Sequence, residues 1–218
     1  LGDVYKRQKY KRDLSADRKL IGLEQMLWIK NNLNKKFKWS IIGQQVLMAQ
    51  VYLPSIFANM NKKILPDYLH KYLKIGGANV PFNTDAWDGY PKERERLFKE
   101  LKKVNSVLVL TGDTHNSWLN NLNDANNNFI GVEIGTPAIS SPNTIDTFGS
   151  LTDRIEEGFI KENKNVKWTE GKHKGYTLLK LTKDKSEVCF VYVNTVKSKV
   201  YEVIDTNKFN VKPNTPII

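Results

Sequence analysis

Asp113 and His115 are the residues whose types and spacing most directly suggest chemistry. They stand in SVLVLTGDTHNSWL, residues 106–119, directly after a run of aliphatic residues. A carboxylate and a neutral imidazole two residues apart suit a borderline or hard cation such as iron, zinc, manganese or calcium. The alternative is that Asp113 caps the following NSWLNN turn while His115 makes an ordinary core hydrogen bond. Two ligands are too few to hold a metal, so a metal site here needs further ligands from elsewhere.

The aliphatic run before Gly112 determines where these two side chains would be presented. A short, continuous apolar run predicts a central β-strand that is covered on both faces. In open α/β sheets, functional groups gather just beyond the carboxyl ends of the strands. We therefore expect a rigid strand to deliver Asp113 and His115 to one edge of a sheet.

The surrounding patterns predict an α/β fold with a mixed β-sheet and flanking helices. Helices are expected from Asp13 to about residue 36, over PKERERLFKELKKVN at 91–105, and over TFGSLTDRIEEGFIKEN at 147–163. The first helix would be capped by Asp13 or Ser15. Its predicted apolar face consists of Leu20, Ile21, Leu23, Leu27, Trp28 and Leu33.

Strands are predicted in the segments that are rich in β-branched and aromatic residues. FKWSIIGQQVLMAQVY should begin as a buried strand, in which Gly43 suggests a close backbone approach. NNFIGVEIGT should be another strand, and GYTLLKLT, EVCFVYV and KVYEVI should form an antiparallel meander. Residues 52–90 lack periodicity and predict a long loop with a short helix around 65–73.

Composition limits the classes of protein. The 218 residues allow one substantial core. No apolar run is long enough to span a bilayer. The single cysteine, Cys189, excludes an internal disulfide and is expected to be a buried strand thiol. The net charge of +11 motivates an alternative function, a basic non-catalytic nucleic-acid-binding module, although the lysines are dispersed rather than clustered.

Several motifs in order resemble the PhoD-like alkaline phosphatases, a branch of the calcineurin-like metallophosphatases. LTGDTHNSW is similar to the family's G-D-x-H-x-S-W, and DAWDGYPKERERL to its D-x-W-D-G-Y-P-x-x-R segment. The other matching segments are RKLIGLEQMLWIKNNL, KWSIIGQQVLM, VEIGTPAISSP and GKHKGYTLLKLT. The resemblance covers about residues 18–195. The sequence departs from the family pattern at Lys174, because the family often has Arg before Gly-Tyr. Lysine keeps the positive charge but lacks the guanidinium fork that makes bidentate hydrogen bonds.

The resemblance implies a phosphoesterase with a cluster of iron and calcium ions, to which Asp113 and His115 would contribute ligands. His115 should donate its second ring nitrogen to an acceptor that orients the ring. The family's earlier ligands have no counterparts here, so the chain is expected to be the C-terminal part of the metallophosphatase α/β sandwich and inactive alone. Family members are typically exported, which implies a periplasmic or extracellular location.

The first eight residues, LGDVYKRQ, do not fit the pattern that follows. DVYKRQ looks like the translated end of a transposon-type sequencing adapter, which would leave residues 9–218 as the native portion of one catalytic domain.

The remaining candidate residues divide between the site and the scaffold. Asp88 and Tyr90 could line the site, or Asp88 could bond its own turn with Gly89 at positive φ. Exposure is expected for His173, which could otherwise assist phosphate binding, and for His70 on a helix surface. Packing is expected for Trp87, Trp118 and Trp168. Ser117 is not a candidate nucleophile, because no base and orienting pair can be named for it.

Overall fold

The computed structural model describes residues 16–60 and 80–218. Residues 1–15, with both predicted caps and the adapter-like segment, lie outside this range, as do His70 and the helix expected around 65–73. The helices are α1 (Gly22–Asn32), α2 (Pro91–Leu101), α3 (Thr144–Phe148) and α4 (Thr152–Glu162). The strands are β1 (Ser40–Gly43), β2 (Val107–Thr111), β3 (Ser117–Asn123), β4 (Phe129–Gly135), β5 (Val166–Glu170), β6 (Lys174–Leu181), β7 (Ser186–Val193) and β8 (Val203–Val211). Short 3-10 turns cover Ser55–Asn59, Trp87–Gly89 and Gly149–Leu151.

Five strands form a mixed sheet in the order β1-β2-β4-β3-β5. β1, β2 and β4 run parallel, whereas β3 is antiparallel to both of its neighbours. β2 therefore lies inside the sheet, and Val107, Leu108 and Val109 are almost fully buried. The predicted central strand and the mixed α/β fold are both confirmed.

The antiparallel meander β6-β7-β8 is a second sheet that packs on one face of the first. Leu108, Leu119 and Ile134 of the large sheet meet Val188 and Phe190 of the small one in a shared apolar cluster. The opposite face of the large sheet packs against the helices in a larger cluster, which includes Leu97, Phe98 and Leu101 of α2 and Phe159 of α4. The result is a layered α/β sandwich. None of the helices within the described ranges is long and apolar enough to cross a bilayer.

The first helix differs from its prediction in both length and face. It begins only at Gly22, whose φ of +75° places that residue in the left-handed region. Met26 and Ile29 pack toward the core, while Leu23 is 70% exposed and Trp28 is 66% exposed. Leu20, Ile21 and Leu33 pack against the core as predicted, whereas the prediction was wrong for Leu23, Leu27 and Trp28, which are exposed.

Several strand predictions also need correction. β1 was predicted as a buried strand, but it lies at one end of the large sheet and Ile41 is 44% exposed. The close backbone approach expected at Gly43 is also wrong, since a Cβ there would meet no described atom within 4 Å.

β3 and β5 were missed, since SWLNNLN carries polar residues at buried positions that resemble a turn. The last strand begins at Val203 rather than near residue 199, and the helix expected over 147–163 is interrupted at Gly149, which has φ +52°. Cys189 lies on the outer face of β7 and is only partly buried, because the strand's inward residues are its neighbours Val188 and Phe190.

Candidate functional site

The loop from Gly112 to Asn116 leaves the carboxyl end of β2 through an unusual backbone. Asp113 has φ +66° and His115 has φ +63°, so two residues with side chains adopt the left-handed conformation within one short turn. Asp and His tolerate this region better than most residues, but each instance still stores strain. Strained backbone of this kind persists only where the surrounding fold holds it in place, and it occurs most often at functional sites. Asp113 is exposed and His115 is partly exposed, so both side chains are open to solvent.

The imidazole of His115 is oriented by a backbone carbonyl. Nδ1 lies 2.7 Å from the carbonyl oxygen of Pro142. A carbonyl can only accept, so Nδ1 carries the proton and Nε2 is the nitrogen left with a lone pair. This is the arrangement expected of a histidine that binds a metal through Nε2 and is oriented through its other nitrogen.

Three loops converge around this turn. The Gly112 amide donates to the carbonyl of Gln45, in the loop after β1, at 3.0 Å. The Thr136 amide donates to the carbonyl of Thr111, and the Ala138 amide to that of His115. The carboxyl ends of the three parallel strands therefore meet at one edge of the sheet, as predicted from the sequence.

The loop after β1 is held by buried carboxylates that sequence reasoning assigned no role. Glu133, in the middle of β4, is fully buried and accepts hydrogen bonds from the amides of Met48 and Ala49 and from the Asn120 side chain. Burial raises the pKa of Glu133 to about 7, against the opposing effect of these donors. A glutamate within an apolar strand, FIGVEIG, was the sequence signal for this group.

Asp88 anchors the same loop and does not line an open site. Its side chain is 6% exposed, accepts from the Val51 amide at 2.9 Å and forms an ion pair with Arg94 at 2.6 Å. Burial raises the pKa of Asp88, while the Arg94 charge opposes that shift. The alternative turn was wrong as well: Gly89 lacks a positive φ, and it is needed because a Cβ there would lie 1.8 Å from the Thr84 carbonyl oxygen.

Tyr90 is occupied by a contact with Arg18, in the segment before α1. Its hydroxyl accepts a hydrogen bond from Arg18 at 3.2 Å, and the Arg18 guanidinium lies 4.4 Å from the centre of its ring. The structure therefore gives Tyr90 a cation–π contact that ties the segment before α1 to α2.

The three tryptophans serve packing, as predicted, and Ser117 is buried beside one of them. Trp118 is fully buried and its ring N–H donates to Thr114 at 2.8 Å, which fixes the residue between Asp113 and His115. Trp87 is buried and donates to Gln44, and Trp168 packs on aromatic residues of the small sheet. Ser117 is fully buried and accepts a hydrogen bond from the Tyr192 hydroxyl at 2.8 Å, so it offers no exposed nucleophile.

His173 is held in place rather than freely exposed, which corrects the expectation for this residue. Its Nδ1 lies 3.0 Å from Glu170, and its ring packs against Tyr192 with 5.3 Å between ring centres. Lys174, the departure from the family's Arg, is largely buried and forms an ion pair with Asp146. That hydrogen bond lowers the pKa of Asp146.

Asp113 and His115, the two ligands predicted from the sequence, both lie in the turn at this edge of the sheet. No group of three or more His, Cys, Asp or Glu side chains placed to hold a metal occurs among residues 16–60 and 80–218. The two side chains fit a borderline or hard cation in chemical type.

The chain is similar to known phosphatases over most of its length. The family profile described as "PhoD-like phosphatase" matches residues 3–190. Alkaline phosphatase D of Bacillus subtilis (strain 168) is 32% identical over 176 residues, which is 77% of this chain and 26% of that protein. A solved structure titled "Structure of PhoD" superposes with a TM-score of 0.68 at 25% identity, covering 92% of this chain and 34% of the other. The chain thus spans about a quarter to a third of these relatives, and it belongs to the PhoD-like phosphatase family.

Proposed function

We propose that this chain is part of the catalytic domain of a metal-dependent phosphoesterase, in which Asp113 and His115 are metal ligands. The observation that supports this most directly is the strained turn after β2, where the exposed Asp113 comes two residues before His115, whose Nδ1 is held by the Pro142 carbonyl. Membership of the PhoD-like family supplies the reaction class, the hydrolysis of phosphate esters.

The roles of this chain's own residues follow from their contacts. Asp113 supplies carboxylate oxygen. His115 supplies Nε2, and the hydrogen bond from its Nδ1 to the Pro142 carbonyl fixes the orientation of the ring. Trp118 and Thr114 hold the turn, and the bond from Gly112 to Gln45 joins it to the loop after β1. Metal ions held by Asp113 and His115 together with further ligands would supply polarisation of the phosphoryl oxygens, neutralisation of developing charge and an oxygen nucleophile near neutral pH.

Iron and calcium are the metals that the family resemblance suggests. A carboxylate oxygen such as that of Asp113 suits calcium, whereas the imidazole of His115 suits iron. Two ligands cannot hold such a cluster, so we expect the remaining ligands to come from parts of the enzyme outside the described residues. We therefore expect weak metal binding and no robust turnover by the 218 residues alone. A periplasmic or extracellular location belongs to the same proposal and rests on the resemblance.

Metal titration tests the ligand assignment without relying on activity. Calorimetric titration of the purified chain with Mn²⁺, Fe²⁺ or Ca²⁺ should detect a weak site, and Asp113→Ala or His115→Ala should lower its affinity by at least about tenfold, or ~1.4 kcal/mol. Asp184→Ala is the matched control, because Asp184 is exposed in the turn between β6 and β7. Equal affinities in all four proteins would refute Asp113 and His115 as ligands.

Turnover of p-nitrophenyl phosphate and its bis-ester tests the expectation of inactivity. Robust hydrolysis by the 218-residue chain that Asp113→Ala abolishes would show that the chain is sufficient for catalysis. The nucleic-acid-binding alternative finds no support in the comparisons, all of which identify phosphatases.

A further inference from the structure

Asn116, the residue after His115, is buried although neither the family motif nor the proposed chemistry uses it. It stands at an unspecified position of G-D-x-H-x-S-W, directly before Ser117. In the fold it is 6% exposed. A buried side-chain amide is unfavourable unless its donor and acceptor groups are hydrogen-bonded. The partners of Asn116 therefore indicate what the residue does.

Asn116 forms a two-point contact with Thr144. Its Nδ2 donates to the Thr144 hydroxyl oxygen at 2.7 Å, and its Oδ1 accepts from the Thr144 amide at 3.3 Å. Thr144 begins α3 and lies 28 positions further along the chain. The contact therefore joins the turn after β2 to the segment that leads from β4 into α3.

His115 contacts the same segment at two other points. Its carbonyl accepts from the Ala138 amide at 3.2 Å, and its Nδ1 donates to the Pro142 carbonyl at 2.7 Å. Together with the pair formed by Asn116, these bonds attach two consecutive residues of the turn to residues 138–144. We call residues 138–144 the clamp segment.

The part of the clamp segment that orients His115 is itself exposed to solvent. Residues 139–142 are all exposed, and the carbonyl that accepts from Nδ1 belongs to the last of them, Pro142. Exposed loop backbone is mobile unless neighbouring contacts hold it. Thr144 lies two residues beyond Pro142, so its contact with Asn116 restrains the chain beside the acceptor.

Gly171 closes off the space around the pair formed by Asn116 and Thr144. A Cβ on Gly171 would lie 2.8 Å from Asn116 Oδ1 and 2.8 Å from Thr144 Oγ1. The Gly171 amide donates to Glu156 at 2.7 Å, and its carbonyl accepts from the Ile145 amide at 3.0 Å. The pair is therefore packed against a backbone segment that is bonded in place and leaves no room for a side chain.

We propose that Asn116 is a positioning residue, which holds the clamp segment so that the His115 imidazole keeps its proton on Nδ1 and leaves Nε2 available to a cation. This inference rests on the proposed function, in which His115 is a metal ligand, and adds a residue on which the orientation of that ligand depends. The hydrogen bond made by one ring nitrogen decides which tautomer a neutral histidine adopts. These contacts are made between protein groups, so the tautomer should already be present in the metal-free chain.

NMR of the metal-free chain tests the inference directly. Long-range ¹H–¹⁵N spectra in mildly alkaline buffer show which ring nitrogen of a neutral histidine carries the proton, and His115→Gln identifies the signal. In the parent, His115 should be the Nδ1–H tautomer alone. Asn116→Ala should lose this single form and show a mixture of the two tautomers. An Asn116→Ala protein that keeps the parent's tautomer would overturn the proposal.

Asn163→Ala is the matched control, because Asn163 is also buried and also makes a two-point contact. Its Oδ1 accepts from the Tyr52 amide at 2.6 Å, and its Nδ2 donates to the Tyr52 carbonyl at 3.0 Å. Asn163 precedes β5 and Gly171 follows it, so the two lie at opposite ends of that strand. Urea unfolding should show a loss of stability for both variants, but Asn163→Ala should keep the parent's tautomer. The same tautomer change in both variants would indicate a general structural effect and refute a specific role for Asn116.

Changes in the partners of Asn116 test the inference without altering that residue. Thr144→Val removes the hydroxyl that accepts from Nδ2, whereas Thr144→Ser keeps it. Gly171→Ala places a methyl group against side-chain atoms rather than backbone, so the chain should fold while the pair is displaced. Thr144→Val and Gly171→Ala should show the tautomer mixture, and Thr144→Ser should retain the Nδ1–H form. Parent-like spectra from both variants that are expected to change would contradict the proposal. They would assign the anchoring of the clamp segment to Asn143, which donates to the His173 carbonyl at 3.1 Å.

Calorimetric titration with Mn²⁺ relates the position of the ring to metal binding. Loss of a residue that orients a metal-binding histidine typically lowers metal affinity by about tenfold or more. Asn116 acts through a further segment, so Asn116→Ala should weaken binding by at least about threefold, and by less than His115→Ala. Unchanged affinity in Asn116→Ala beside a loss in His115→Ala would also count against the proposal. If His115→Ala leaves the affinity unchanged, the proposed function fails, while the tautomer measurement still decides whether Asn116 positions the ring.

Discussion

Replacement of Glu133 by glutamine should remove a large part of the pH dependence of stability. Glu133 is fully buried in β4 and accepts hydrogen bonds from two backbone amides of the loop after β1 and from Asn120. Burial raises its pKa from 4.5 to about 7. Between those two pH values, the folded protein holds a proton on Glu133 that the unfolded chain has released.

The sign and size of the effect follow from this difference in proton binding. The free energy of unfolding falls with rising pH wherever the folded state binds more protons than the unfolded state. The contribution of Glu133 should therefore be complete below about pH 4.5 and lost as pH rises toward 7. At ~1.4 kcal/mol for each unit of pKa, the shift to about 7 corresponds to about 3 kcal/mol.

Urea unfolding followed by tryptophan fluorescence at pH 5, 6, 7 and 8 measures this contribution. At pH 5, Glu133→Gln should be less stable than the parent by about 1–3 kcal/mol. The side-chain NH₂ of glutamine would face a backbone N–H, and it cannot accept the hydrogen bond that the glutamate oxygen accepts. The difference should shrink or reverse by pH 8, changing by about 3 kcal/mol in total. Parallel curves for the two proteins across this pH range would refute the reasoning.

Glu156 is the matched control for the pH measurement. Burial raises its pKa to about 7 as well, while the Gly171 amide opposes that shift. Its contribution is shared by the parent and Glu133→Gln, so it cancels in their difference. Glu156→Gln should remove its own part of the pH dependence and retain the part due to Glu133.

Three further predictions test the scaffold. Arg94→Met should destabilise the chain by about 3–5 kcal/mol in urea unfolding, because Asp88 is left as a buried charge without its partner; adding Asp88→Asn should recover part of the loss, and additive losses would contradict the pairing. Gly89→Ala should destabilise by about 2 kcal/mol or more, since the new Cβ would lie 1.8 Å from the Thr84 carbonyl oxygen; an unchanged urea midpoint would count against that close approach. Cys189 should react with a thiol reagent in the native state, whereas reaction only after unfolding would indicate a buried thiol.

Local patterns were sufficient for the elements whose faces are unambiguous. Pro91 and the apolar stripe of α2 predicted that helix, and the continuous run before Gly112 predicted a central strand. Strands β3 and β5 were missed because their buried polar residues, such as Asn120, find partners only across the sheet. Side-chain period alone cannot distinguish such a strand from a turn.

Sequence by itself placed Asp113 and His115 after a buried strand, because a rigid apolar run and a turn-forming glycine are local features. The left-handed backbone of both residues and the bond from His115 to the Pro142 carbonyl arise only where distant segments pack together. The same holds for Asp88, which accepts from the distant Val51 amide, and for Glu133, which the fold buries against the loop after β1. Charged residues and turn-forming residues can be identified in the sequence one by one. Their partners and their burial depend on contacts between segments that are far apart in the chain.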